Sequence, residues 1–345
     1  MTAMRDEILE QAAIVARLAA DGRQFREAAR EARAAGARFV LYAARGTSDN
    51  AAVYGKYLAT ILAGMPAGLA VPSAATLYGA RIDFRDCLVV GISQSGETPD
   101  VAEYLAAARA GGAYTLAVTN DAGSLLAGSA HRVLATGAGA ERAVAATKTY
   151  TSQLAALAAF WAAWLDDAEM ASALAADVPA AMEAALATED AVRAIATRLS
   201  HAERIIVAGR GFNYATALET ALKIKETCYV AAMPFSAADL LHGPIAMVEP
   251  QYPVLLFAPD GAARDGMLAL QEELRGRGAE TYVVAGAPTG VAGATCVVAL
   301  PRPLPEPLSP LSAVIPGQLL ALHLSLARGL DPDRPRGLTK VTRTY

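Results

Sequence analysis

Short apolar runs closed by glycine recur along this chain, and each is followed by apolar residues at helical spacing. That alternation predicts strands laid side by side in a parallel α/β sheet, with helices packed on its faces. The runs also recur in a matched order. Arg38-Phe39-Val40-Leu41-Tyr42 leading into Ala44-Arg45-Gly46 parallels Arg204-Ile205-Ile206-Val207-Ala208 leading into Gly209-Arg210-Gly211, and Gly211 follows Gly46 by 165 positions. Leu88-Val89-Val90 and Val254-Leu255-Leu256 are 166 positions apart, as are Thr115-Leu116-Ala117-Val118 and Thr281-Tyr282-Val283-Val284. Three matched strands at nearly one offset predict two tandem copies of a doubly wound α/β unit; chance likeness between βαβ segments is the competing explanation.

The pattern divides the chain into a helical lead-in over 1–35, a first doubly wound domain over 36–168 and an Ala-rich helical linker over 169–199. A second domain follows over 200–330, with an irregular tail over 331–345. Pro301 to Pro316 reads as a proline-rich bend, and the tail, with Pro332, Pro335 and Gly337, cannot form a long helix and is expected on the surface or in a cleft.

Composition narrows the class of partner. The 345 residues suit about two units of roughly 150 residues each. A 54% hydrophobic, 19% charged chain is ordered and globular, and a net charge of -4 gives no electrostatic footprint for nucleic acid, so a small molecule is the expected partner. Cys87, Cys228 and Cys296 lie far apart, which suggests neither a disulfide framework nor a zinc site and points to a reduced, cytoplasmic setting. Nothing calls for a metal or an organic cofactor. The first 20 residues lack the basic start and apolar run of a signal peptide. The longest dense apolar stretch, Leu154 to Leu165, falls short of the roughly 20 residues that span a bilayer and reads as a buried helix, so no membrane association is expected.

Two segments carry candidate chemistry. After the strand Cys87 to Ile92 come Ser93, Gln94, Ser95 and Thr98, with Gly96 between them and Pro99 where a first helical turn tolerates it. A strand, a tight loop and a helix N-terminus present unpaired N–H groups and the positive end of a helix dipole, which hold a phosphate without any Lys or Arg in the loop. Gly46-Thr47-Ser48 repeats the arrangement one strand earlier. The plain alternative is that Ser48 and Thr98 cap helices, as their residue types often do. Neither loop has the glycine spacing of a dinucleotide binder or the Lys of a P-loop, and a monophosphate fits better.

Glu219, Lys223 and Glu226 are spaced four and three apart on one face of a helix opening near Asn213, either a surface salt-bridge ladder or an acid/base face. Ala217, Leu218, Ala221, Leu222 and Ile224 around them favour the second reading, because a carboxyl against apolar walls is poised to move a proton on and off carbon. His242, in a turn before Gly243-Pro244, is a candidate proton carrier between sugar oxygens, whereas His131, His201 and His323 read as surface or core residues.

Taken together these residues resemble the sugar isomerase (SIS) family, and within it the isomerase half of glucosamine-6-phosphate synthase and the SIS-type glucosamine-6-phosphate deaminases. The likeness runs through Gly46-Thr47-Ser48, the Ile92 to Thr98 loop, Val144-Ala145-Ala146-Thr147-Lys148, the Ala217 to Glu226 helix, Leu241-His242-Gly243-Pro244 and Pro335-Arg336-Gly337-Leu338-Thr339-Lys340, in order over nearly the full length. The resemblance implies that Thr47, Ser48, Ser93, Gln94, Ser95 and Thr98 hold the phosphate and sugar hydroxyls, with Val144 adding backbone contacts. It implies that Glu226 moves the proton between C1 and C2, supported by Lys223 and Glu219, and that His242, from the neighbouring subunit of a homodimer, opens the ring. Lys340 is similar to a tail lysine that closes over the sugar and can form an imine with the ketose. The chain begins Met1-Thr2-Ala3, without the N-terminal Cys of a glutaminase domain, and its tail Lys340-Val341-Thr342-Arg343-Thr344 looks more like the deaminases. The expected reaction is therefore glucosamine 6-phosphate and water to fructose 6-phosphate and ammonia. The alternatives are a deglycase, deaminase or isomerase for another amino-sugar or fructosamine 6-phosphate, ammonia-dependent glucosamine-6-phosphate synthesis, and a non-catalytic sugar-phosphate sensor.

Overall fold

The computed structural model describes residues 2–340. Among them, ten strands form two five-stranded, wholly parallel sheets. In the first, β1 (Phe39–Ala43), β2 (Ala67–Leu69), β3 (Cys87–Ser93), β4 (Tyr114–Thr119) and β5 (Arg132–Ala135) lie in the order β2-β1-β3-β4-β5. In the second, β6 (Arg204–Gly209), β7 (Ala231–Ser236), β8 (Pro253–Ala258), β9 (Glu280–Ala285) and β10 (Cys296–Ala299) lie in the order β10-β9-β8-β6-β7. Read from β7, this is the first order again, so the duplication seen in the sequence offsets is a duplication of topology. Helices follow the strands in both halves, as a tandem doubly wound α/β fold requires. Leu88 to Ser93 in β3 and Val254 to Ala258 in β8 are all buried, because both faces of a parallel sheet are covered.

The described chain divides into two compact units. One holds the first sheet and comprises residues 13–141, 148–176 and 339–340; the other holds the second sheet and comprises residues 2–12, 142–147 and 177–338. The lead-in forms the helices Ala3–Ala20 and Arg23–Ala34.

In the first-sheet unit the Leu154 to Leu165 stretch lies in the helix Lys148–Leu165, buried from Lys148 to Ala162. Trp161 Nε1 donates to Tyr42 Oη at 3.0 Å, and that hydroxyl donates to the Gly55 carbonyl at 2.9 Å. A Cβ on Gly55 would stand 2.7 Å from the Tyr42 ring, so a glycine lets the helix Thr47–Ile61 lie against β1.

In the second-sheet unit the expected proline bend is corrected. Only its beginning is irregular: a single 3₁₀ turn, Glu306–Leu308, leads into the helix Pro310–Ala327, with Pro310 in its first turn and Pro316 inside it. An interior proline withholds one N–H and costs roughly 3 kcal/mol in a helix. Here the cost is outweighed by burial, since every residue from Pro310 to Ser325 is buried. This segment, not Leu154 to Leu165, is the longer apolar stretch. Among the described residues, Glu306–Ala327 is the one unbroken helix long and apolar enough to cross a membrane, and 89% of that window is buried inside the protein. It packs on the helix Tyr214–Cys228: a Cβ on Gly317 would lie 2.2 Å from Thr220 Oγ1, and the Cys228 thiol donates to the Ala321 carbonyl at 3.2 Å. The tail is irregular through Lys340; Val341, Thr342, Arg343 and Thr344 lie outside the described residues.

Candidate functional site

In a doubly wound sheet the crevice opens outside the carboxyl ends of the strands where their order reverses, here between β1 and β3. Both hydroxyl loops leave these two strands. Arg45, in the first loop, pairs with Asp100 at 2.6 Å just beyond the second, which ties the loops together. Thr98 is the cap residue of the helix Pro99–Ala110, yet its side chain makes no capping bond. Its Oγ1 lies 3.0 Å from Ser93 Oγ, which also accepts the Gly96 N–H at 3.1 Å. Ser95 Oγ accepts the Glu97 N–H at 3.2 Å, and the Gln94 carbonyl accepts the Asn120 N–H at 3.1 Å. Ser48 is not a cap either: Gly46 precedes the helix Thr47–Ile61, and Ser48 Oγ accepts from Gln153 Nε2 at 3.0 Å. The plain capping alternative therefore fails for both hydroxyls. Neither Gly46 nor Thr98 supplies a side-chain capping bond at its cap position, and two helix N-termini stand at the switch point, an arrangement that suits an anion.

Lys340 belongs to the same unit. Its ammonium lies 3.0 Å from the carboxylate of Glu141, a residue that sequence reasoning missed. The Glu141 side chain is fully buried and also accepts from Thr149 Oγ1 at 2.5 Å. A lone Glu in a Gly/Ala-rich stretch carries no signal for this, because its partner lies 199 positions away.

In the second-sheet unit the ladder on Tyr214–Cys228 is graded in burial. Glu219 and Lys223 have 0% and 1% of their side chains exposed, and Glu226 has 25%. The Lys223 ammonium stands 3.5 Å from Glu219 and 2.5 Å from Glu226. The apolar walls expected around Glu226 thus enclose its two supporters, and Glu226 itself sits at the open end beside a cation. It lines a cavity of about 250 Å³ with Lys225, Tyr229, Arg336 and Leu338. Tyr229 closes the helix at φ +57°, accepts the Arg336 N–H on its hydroxyl at 2.7 Å, and carries the Arg336 guanidinium 4.1 Å over its ring. This clasp holds the tail at Glu226; the tail's irregularity and its place on the surface or in a cleft were legible beforehand, but the Tyr229–Arg336 contact was not.

His242 is exposed at the end of the short helix Ala237–Leu241 in the same unit and is not among the residues lining that cavity. Val144 is half-buried, and its N–H donates to the Asp333 carbonyl at 3.4 Å. Its loop is fixed by Glu7, whose buried carboxylate accepts the N–H groups of Arg142 and of Ala143, the latter at 3.2 Å. Asp333 in turn accepts the Ala3 and Met4 N–H groups at 2.7 and 2.8 Å, capping the first helix from the far end of the chain.

Two parallel sheets of one strand order, with hydroxyl-bearing loops at the switch point of the first, define a tandem doubly wound protein. The SIS domain description matches residues 35–163 and 198–328, and the chain belongs to that family. It is 39% identical over 303 residues to an isomerizing glutamine–fructose-6-phosphate aminotransferase of Methanothermobacter thermautotrophicus, a match covering 87% of this chain and 51% of that protein. The chain spans about half the length of the curated relatives it matches. Among solved structures, the C-terminal domain of glucosamine-fructose-6-phosphate aminotransferase from Francisella tularensis superposes with a TM-score of 0.88 at 27% identity, over 97% of this chain and 98% of that domain. Tagatose-6-phosphate ketose/aldose isomerase from Escherichia coli has the same fold, with a TM-score of 0.83 at 21% identity over 96% and 94% of the two chains.

Proposed function

We propose that this protein is a phosphosugar aldose–ketose isomerase acting on an amino sugar, and that its reaction is glucosamine 6-phosphate plus water to fructose 6-phosphate plus ammonia. The observation that carries the reading is Glu226: a part-exposed carboxylate at a cavity, backed by a buried ammonium and a second buried carboxylate. In this reading Ser93, Gln94, Ser95, Thr98, Thr47 and Ser48 hold the phosphate and sugar hydroxyls, and the Val144 backbone adds to them. His242, from the partner of a homodimer, moves the proton that opens the ring. Glu226 takes the C2 proton to give an enolamine and returns it to C1, leaving an imine at C2. Water adds to that imine and ammonia departs, so atoms balance without an oxidant or reductant. Lys223 and Glu219 fix the Glu226 carboxylate, and Lys340 is the amine that meets the ketose carbonyl.

The relatives' name favours a second reading, ammonia-dependent synthesis in the reverse direction. Assayed as this chain alone, water is the solvent and ammonia must be supplied, so mass action favours release. The deciding experiment is incubation with glucosamine 6-phosphate while fructose 6-phosphate and ammonium are followed together. Equal release supports the first reading; product only from fructose 6-phosphate with added ammonium supports the second. Glu226→Gln should lower kcat by at least about 100-fold, the usual contribution of a general base. Unchanged turnover in that variant would remove Glu226 from the chemistry, and sugar-phosphate binding without turnover of any phosphosugar in the intact protein would favour a sensor.

A further inference from the structure

The duplication gives each part of the first cradle a counterpart 165 positions later. Gly46 and Gly96 correspond to Gly211 and Gly261, and all four keep a positive φ, at +56°, +68°, +60° and +144°. The hydroxyls are not kept. Thr47 and Ser48 become Phe212 and Asn213, while Ser93, Ser95 and Thr98 become Ala258, Asp260 and Ala263. What survives, at the carboxyl ends of β6 and β8 where the second sheet's order reverses, is a glycine turn leading into the helix Arg264–Gly276.

That turn already holds an anion. One carboxylate oxygen of Glu306 accepts the Ala262 N–H at 2.6 Å and the other accepts the Ala263 N–H at 3.3 Å. The fit is tight enough that a Cβ on Gly261 would fall 2.3 Å from the Glu306 carboxyl carbon, and one on Gly211 would lie 3.8 Å from its oxygen. A carboxylate on a helix N-terminus supplies the charge the exposed N–H groups and dipole attract, as a phosphate would.

We propose that Glu306 closes the second cradle from within, so that the first is the cradle this chain offers to a phosphosugar. This rests on the reading of the first cradle as a phosphate site. The test is thermal unfolding of the full chain with Ser95→Ala and Thr98→Ala already in place, so that the first cradle is disabled, with inorganic phosphate as the probe. Adding Glu306→Ala should lower the melting temperature by roughly 2–4 °C, the size of losing one helix cap. Inorganic phosphate should restore at least half of that loss and leave the Glu306-containing parent unmoved. A loss that phosphate does not restore would make Glu306 an ordinary cap, and no loss would make it idle; either overturns the proposal. Should Glu306→Ala fail to fold, Glu306→Ser is read the same way. Failure of the phosphosugar reading would show separately, as a wild-type chain that binds no sugar phosphate.

Discussion

Lys223 shows at the residue scale why spacing and role are different kinds of information. Taking an ammonium and a carboxylate out of water costs several kcal/mol per ion, so a ladder with Glu219 and Lys223 both buried is poorly explained by stability. It is better explained as a support that fixes Glu226 at the solvent end. Lys223→Met takes from Glu219 the cation 3.5 Å away and should destabilise the protein by about 3–5 kcal/mol in urea unfolding. Adding Glu219→Met should recover much of that loss while activity stays absent. The i, i+4, i+7 pattern was legible; which end of it meets solvent was not, because that depends on helices brought in from elsewhere in the chain. Glu141, Glu7 and Asp333 were illegible for the same reason, each serving a backbone or side-chain partner far away in sequence. A second charged cluster gives a pH test. Burial pushes His323 below its ordinary 6.5, and the Arg5 guanidinium holds Glu189 below 4.5, with the two side chains 3.0 Å apart. Both folded-state values are depressed, so the stability they contribute is present above about pH 6.5 and is lost as pH falls. The melting temperature should decline on acidification from pH 7 towards 4, and His323→Gln should flatten the upper part of that decline; an unchanged profile would show that His323 does not contribute.

At the scale of elements, the two glycines of the first cradle separate backbone strain from steric exclusion. Gly46 and Gly96 have similar left-handed φ values, yet a Cβ on Gly46 would meet nothing within 4 Å, while one on Gly96 would fall 1.9 Å from Ser124 Oγ. Gly46, at φ +56° and ψ −129°, lies outside the left-handed helical well, so Gly46→Ala should cost backbone strain of about 1–3 kcal/mol and no steric clash. Gly96→Ala should cost more than that and weaken sugar-phosphate binding by over tenfold, because Ser124 caps the next helix and cannot move freely. Urea unfolding and a binding titration on both variants check the order, and equal effects would contradict it. The strand–loop–helix order that makes this cradle was readable from alternating hydrophobic runs and a Pro in a first helical turn. The helix Pro310–Ala327 was not, because local rules treat Pro316 as a breaker and contain nothing about the burial that overrides it.

At the scale of the whole molecule, the offset of 165 carried the tandem architecture into view before any coordinates, since both halves had to bury the same strands in the same order. What it could not show was that the copies differ in use. One loop pair keeps its hydroxyls and the other keeps only its glycines, and the distinction appears once Glu306 is seen on the second pair. With His242 acting from a partner chain, as proposed, activity depends on assembly. If His242 serves the partner's Glu226 in a homodimer, neither Glu226→Gln nor His242→Asn alone should turn over substrate. Mixed, unfolded together and refolded, the two variants should regain about a quarter of wild-type activity, because half of the random dimers are mixed and each mixed dimer rebuilds one of its two sites. If both residues act within one chain, no mixture rebuilds a site and activity stays at the level of the separate variants. Refolded wild type fixes the scale, and sedimentation of the same samples confirms that dimers formed, so a null result would locate His242 on its own chain rather than reflect failed assembly.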